Sequence, residues 1–283
     1  MRDLSQRSLE VKDAVMVTLA TTSQFLAALR RARQIDLRSY ELAPGPVEDA
    51  LVAAARGGAS VSVRLAGAPF ASAGPAAVNA RALARLRAAG ARTCESAGAF
   101  HAKLARVDGA LYLDDRNWSV RGDTILRVPA SSSAAVTSSK RAALAAEARL
   151  LARARRGERV EISSESFGFA SPLYSLLRNL AARGVQVHLC VARSELQPGG
   201  VEDRALARLA AAGASVRLGD SREKFAILGK RVWIGSANAT YAAPGACDWG
   251  LQTGVASVRS QLQARFAETW AHARAYAEPA TIG

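Results

Sequence analysis

Histidine is rare in this chain, three in 283 residues, and one of the three stands in a pattern with chemical meaning. The segment reads His101-x-Lys103-x4-Asp108, with Asn117 nine residues after the Asp. On a strand, positions i and i+2 project to the same face, so the imidazole and the ammonium lie side by side. An imidazole nucleophile beside a compact positive charge, with an Asn amide from the next strand, can hold and attack the phosphorus of a phosphodiester. Asp108 precedes Gly109, so a turn role fits it at least as well as a chemical one. A second segment has the same spacing: Arg222-x-Lys224-x4-Gly229, then Gly235-Ser236-x-Asn238. Only five of the 38 basic residues are lysine (Lys12, Lys103, Lys140, Lys224 and Lys230), and two of the five fall at matching places in these segments.

The matching segments belong to a longer repeat. RALARLRAAGA (Arg81–Ala91) and RALARLAAAGA (Arg204–Ala214) agree at ten of eleven positions. Their flanks follow in the same order: Ile35–Leu42 parallels Val160–Phe167, and His101–Asn117 parallels Arg222–Asn238. A unit of roughly 125 residues is therefore duplicated. Each copy reads strand, helix, strand, helix, strand, strand. In the first copy, strands are expected at Ile35–Leu42, Val61–Leu65, Leu104–Val107 and Ala110–Leu113. Helices are expected at Val47–Arg56 and Asn79–Ala89, each closed by glycine. Alternating elements of this kind imply an α/β fold with mixed, largely parallel sheets flanked by helices, the two copies related by a pseudo-two-fold axis. The boundaries expected are 1–130 and 131–283, packed as one two-lobed body. Ser131–Ser139 reads as a linker before a long helix over Lys140–Arg156.

Composition narrows the class. Hydrophobic residues make up 49% of the chain, enough for a packed core. No apolar run approaches the roughly 18–20 residues that span a bilayer. The N-terminal stretch lacks the apolar segment of a secretory signal. Cys94, Cys190 and Cys247 are odd in number and widely spaced, which reads as free thiols in a reducing cytoplasm. The formal charge of +14 favours a polyanionic partner, although most of it is arginine spread along Ala/Arg-rich helices.

The two segments together resemble the hallmark of the phospholipase D superfamily, HxKx4D followed by GSxN, present twice. The resemblance extends over nearly the whole chain, because repeat length and element order also fit. It implies that His101 attacks a phosphodiester to form a phosphohistidine, with no cofactor and no metal. It implies a catalytic set of His101, Lys103, Asp108 and Asp123, and a substrate-binding set of Asn117, Lys224, Ser236, Asn238 and Arg222. The acid that orients each motif histidine in the family stands somewhat beyond the Asn; Asp123 and Asp248 occupy that place in the two halves. The departures from the pattern are specific. Arg222 stands where the second His belongs, Gly229 where the second Asp belongs, and Asp114-Asp115 where the first Gly-Ser belongs. Arginine stays protonated, so Arg222 can stabilise an oxyanion but cannot shuttle a proton. The His-to-Arg and Gly-Ser-to-Asp-Asp changes compensate in charge, so an Arg222 pair with Asp114 or Asp115 across the seam is expected.

His188 and His272 read as structural, and Trp118, Trp233, Trp249 and Trp270 as core or rim. Three functions are compatible with these features. The first is a metal-independent phosphodiesterase or phosphatidyltransferase, of reduced activity for want of the second His. The second is an inactive binder of DNA or RNA, and the third a protein adaptor. The expected partner is an anionic phosphodiester, either a phospholipid headgroup or a nucleic acid. The expected state is a cytoplasmic monomer containing an internal pseudo-dimer.

Overall fold

The computed structural model of the chain describes residues 17–67, 69, 73–97, 100–118 and 124–276. The first half opens with β1 (Thr18–Ala20), α1 (Thr22–Arg31), β2 (Gln34–Ser39), α2 (Pro46–Arg56) and β3 (Ser60–Ala66). It continues with α3 (Ala73–Ala88), β4 (Arg92–Ser96), β5 (Lys103–Val107), β6 (Ala110–Asp114) and β7 (Ile125–Val128). The second half opens with α4 (Lys140–Leu151), β8 (Arg159–Ser164), α5 (Pro172–Ala182), β9 (Gln186–Ala192) and α6 (Val201–Ala211). It closes with β10 (Ser215–Gly219), β11 (Phe225–Leu228), β12 (Arg231–Gly235), β13 (Gly250–Thr253), α7 (Ala256–His272) and β14 (Arg274–Ala275).

Local chemistry explains several of these elements. Helix α1 starts in a reciprocal capping box between Thr21 and Gln24. Helix α2 has Pro46 at its first position and Glu48 and Asp49 in its first turn, where a proline costs no hydrogen bond and the helix dipole favours acids. Helix α3 begins six residues before the expected Asn79, because Pro75 falls in its first turn, where a helix tolerates proline. Helix α4 ends at Leu151, short of the expected Arg156. Its exit tightens, with Arg153 and Ala154 donating to the carbonyls of Leu150 and Leu151, and the Glu158 carboxylate accepts from the Arg155 N–H. The expected linker is ordered as well: Ala130–Ala135 form a 3₁₀ helix, and the Thr137 N–H donates to the Gly250 carbonyl.

The strands form two seven-stranded sheets with corresponding topologies, β1-β7-β6-β5-β2-β3-β4 and β13-β12-β11-β8-β9-β10-β14. The sheets are mixed, as expected, with a narrower parallel share. Parallel pairing is confined to β2, β3 and β4 in one sheet and to β8, β9 and β10 in the other. The β5–β6 and β11–β12 hairpins pair antiparallel and pass that direction to their neighbours.

One core is shared between the halves. Leu111, Leu113, Leu126 and Val128 of the first sheet pack with Phe225, Ile227, Val232, Ile234 and Leu251 of the second, and α7 adds Val258, Leu262 and Phe266. Each half also has its own core under its helices. Trp118, Trp233 and Trp249 are buried, and Trp270 stacks on His188 at 4.8 Å. The shared core brings the starts of β5 and β11 to the seam between the sheets, so the residues just before these strands face each other.

Candidate active site

His101 is placed by its backbone before its side chain. It precedes β5, and its N–H donates to the Cys247 carbonyl in the other half at 3.1 Å. The neighbouring Phe100 and Cys247 form an isolated parallel bridge. This registry sets Asp248 beside the imidazole, and the Asp248 Oδ1 lies 2.6 Å from His101 Nδ1. The same carboxylate oxygen accepts from the Ser236 hydroxyl at 2.7 Å, and Ser236 in turn accepts the Trp249 N–H at 3.1 Å. An ionised acceptor on Nδ1 fixes the tautomer with its proton on Nδ1 and leaves the lone pair on Nε2. Lys103 Nζ lies 2.9 Å from that Nε2. Burial, with the Lys103 charge second, lowers the His101 pKa from its ordinary value; Asp248 opposes this. The imidazole is therefore neutral at neutral pH, with Nε2 unprotonated.

The two motif lysines are the most deeply buried positive charges in the site, 2% and 3% exposed for Lys103 and Lys224. Burial pulls Lys103 down to about 8, offset in part by Asp248. Lys224 Nζ donates to the carbonyls of Asp115 at 3.3 Å and Arg222 at 2.9 Å, and pairs with Glu165 Oε2 at 2.9 Å. Asn238 Nδ2 donates to the same Glu165 oxygen at 3.3 Å. His101, Lys103, Asn117, Glu165, Lys224 and Asn238 all line one cavity of about 490 Å³. The buried amide oxygens of Asn117 and Asn238 have no partner among the described residues. A ligand entering this cavity meets two ammonium groups and two amides, the donor set that suits phosphate oxygens.

Two expectations need correction, and one falls on a residue outside those described. Asp108 takes no part in the cavity. It sits at the far end of β5, in the β5–β6 turn, with φ +45°. Its carboxylate accepts the backbone N–H groups of Arg33 at 3.0 Å and Gln34 at 2.8 Å, pinning the start of β2. The expected orienter from within the first half, Asp123, lies outside the described residues, and Asp248 from the second half bonds His101 instead. The reason is geometric: the pseudo-two-fold sets the end of each motif against the start of the other. Arg222 does not meet Asp114 or Asp115. It reaches outward, 47% exposed, to Glu165 at 3.5 Å, Glu195 at 3.3 Å and the Ser194 hydroxyl at 3.2 Å. The aspartates turn inward instead. The Asp114 carboxylate accepts the N–H groups of Arg116 and Trp118, and Asp115 Oδ1 accepts the Thr124 N–H at 2.9 Å.

Glu165 was missed in sequence. Its signal was available, because it aligns with Tyr40 of the first half, an acid in one copy where the other has a ring against His101. No spacing rule links Glu165 to Lys224, since the two meet across the adjacent strands β8 and β11.

No family model matches the chain, and no curated protein matches it. Among solved structures, polyphosphate kinase from Porphyromonas gingivalis is similar at 17% identity with a TM-score of 0.63, over 90% of this chain and 50% of that one. The chain thus spans half the length of that kinase. Phosphatidylserine synthase from Haemophilus influenzae Rd KW20 is similar at 11% identity with a TM-score of 0.66, over 93% of this chain and 88% of that one. Nuc from Salmonella typhimurium, a phospholipase D family member, is 17% identical over half of this chain with a TM-score of 0.42. At these identities the likeness is one of architecture: the chain shares its α/β fold with that kinase and that synthase.

Proposed function

We propose that the protein cleaves or transfers a phosphodiester, with His101 Nε2 as the nucleophile. The observation that carries this reading is the chain Ser236–Asp248–His101, which ends on a neutral Nε2 facing a cavity with two buried lysines. Asp248 holds the tautomer and balances the positive charge that the ring gains on phosphorylation. Lys103, Lys224, Asn117 and Asn238 hold the nonbridging oxygens. Arg222 adds charge at the rim. The fold's occurrence in a polyphosphate kinase and a phosphatidylserine synthase is consistent with phosphorus chemistry at this seam. Lipid headgroups and nucleic acids remain the two substrate classes, and the net charge of +14 suits both.

One observation favours a second reading, a phosphodiester binder without turnover: the Glu165 carboxylate already engages Lys224 and Asn238. Incubation with bis-p-nitrophenyl phosphate, short single-stranded DNA or phosphatidylglycerol, followed by intact mass measurement, separates the two. The enzyme gives a phosphohistidine adduct or turnover that vanishes in His101→Ala. Salt-sensitive DNA binding that is unchanged in that variant, with no adduct in either protein, replaces the enzyme with the binder.

A further inference from the structure

We propose that Glu165 is the proton acceptor of the second chemical step, standing in for the histidine that Arg222 replaces. The inference rests on the reading of His101 as nucleophile and concerns the other side of the same phosphorus. An attacking water must approach opposite Nε2, from the second half, where the motif offers only Arg222. A guanidinium offers donors only and cannot accept a proton. Glu165, just after β8, is the cavity carboxylate that both Lys224 and Asn238 hold in place; Glu195 pairs only with Arg222 at the rim. Glu165 lines the cavity with His101, and Lys224 Nζ, Asn238 Nδ2 and the Arg222 guanidinium position it. These partners also hold its pKa below the ordinary carboxylate value despite burial, so it enters the step ionised.

In the first step, Nε2 bonds to phosphorus and the P–O bond to the leaving group breaks, the electron pair departing on that oxygen beside Lys103, Lys224 and Arg222. With no histidine on this side to protonate the leaving oxygen, the step suits leaving groups that are stable as anions. In the second, Glu165 takes a proton from water, the water oxygen bonds to phosphorus, and the P–Nε2 bond breaks with its pair returning to Nε2. The proton on His101 Nδ1 stays there throughout, hydrogen-bonded to the Asp248 carboxylate, and Glu165 passes its proton to solvent.

Bis-p-nitrophenyl phosphate tests this, because nitrophenolate leaves without protonation. In Glu165→Gln, which preserves shape and keeps one accepting oxygen for Lys224 and Asn238, the burst of one equivalent of nitrophenolate should persist. Steady-state turnover should fall about 10²–10⁴-fold, the usual worth of general base catalysis, and the phosphohistidine seen by mass should live longer by the same factor. Glu165→Asp should recover part of the turnover. A Glu165→Gln enzyme with wild-type turnover, or one whose burst and turnover fall together, would remove the assignment while leaving His101 as nucleophile. Wild-type protein that forms neither adduct nor nitrophenolate would overturn the enzymatic reading itself, and this assignment with it.

Discussion

The two ends of the cavity descend from one repeated unit and now do different work. Around His101 the repeat keeps its parts in one line. Ser236 and Asp248 come from the second half, the imidazole and Lys103 from the first, with each contact at 2.6–2.9 Å. At the corresponding place around Arg222 the line is broken. Asp115 replaces the serine, and burial raises its pKa. Its neighbour Thr124 donates to Glu223, which is paired with Arg265 at 2.6 Å. The Thr124 N–H still donates to Asp115 as the Trp249 N–H does to Ser236, so the backbone frame survives while its side chains have been exchanged. The lesson is that the backbone frame and the buried lysine are separable from the imidazole. A half can lose its imidazole and keep its cation.

The largest effects should come from the intact end. His101→Ala should lower turnover to background, a loss of at least about 10³-fold. Asp248→Asn, which would allow the wrong tautomer, should cost about 10²–10⁴-fold with little change in fold, checked by circular dichroism. If Asp248→Asn retains full activity, the two ends are more alike in chemistry than their hydrogen bonds suggest.

The pH profile follows in size. The free protein should lose kcat/KM as pH rises through about 8, because Lys103 then gives up the proton that makes it a phosphate ligand. On the acid side, activity should persist below the ordinary histidine pKa, since burial and Lys103 keep His101 neutral there. Lys103→Arg, which cannot be neutralised in this range, should remove the alkaline limb. A limb that survives this change belongs to another group.

Restoring the lost part should have a smaller and selective effect. Arg222→His should raise turnover of alkyl phosphodiesters by about 10-fold or more and leave nitrophenyl esters nearly unchanged, because only the former need a proton on the leaving oxygen. Equal gains on both would mean that Arg222 limits access to the cavity rather than protonation. The smallest effect should fall outside both ends. Asp108→Ala should destabilise the fold by about 1 kcal/mol through loss of its bonds to the β2 backbone, and leave kcat unchanged.

Much of this was readable in the linear order. The duplication and the paired hairpins follow from spacing along the chain, and so does the His101–Lys103 neighbourhood, although His101 lies two residues before Lys103, where β5 begins. Asp108 shows where spacing misleads: its place in the motif and its place before Gly109 made different forecasts, and the turn geometry at φ +45° decided for the second. The bond from Asp248 to His101 spans 147 residues and arises from how two sheets pack. No local pattern encodes such a pairing. The same holds for Glu165, which reaches Lys224 sideways between strands. Arg222 was expected to face the aspartates on charge balance alone. Glu165 and Glu195 lie nearer the surface, where a half-exposed guanidinium keeps its hydration.

The hydrogen bond from the His101 backbone to Cys247 has a bearing on how this protein can be divided. A fragment carrying only the first sheet would contain His101 without its anchor or its aspartate, and a fragment carrying the second would contain the aspartate with nothing to orient. Cutting the chain near residue 130 and co-expressing the pieces is therefore a complementation assay, in which reactivity reports reassembly of the seam and neither piece alone gives a signal.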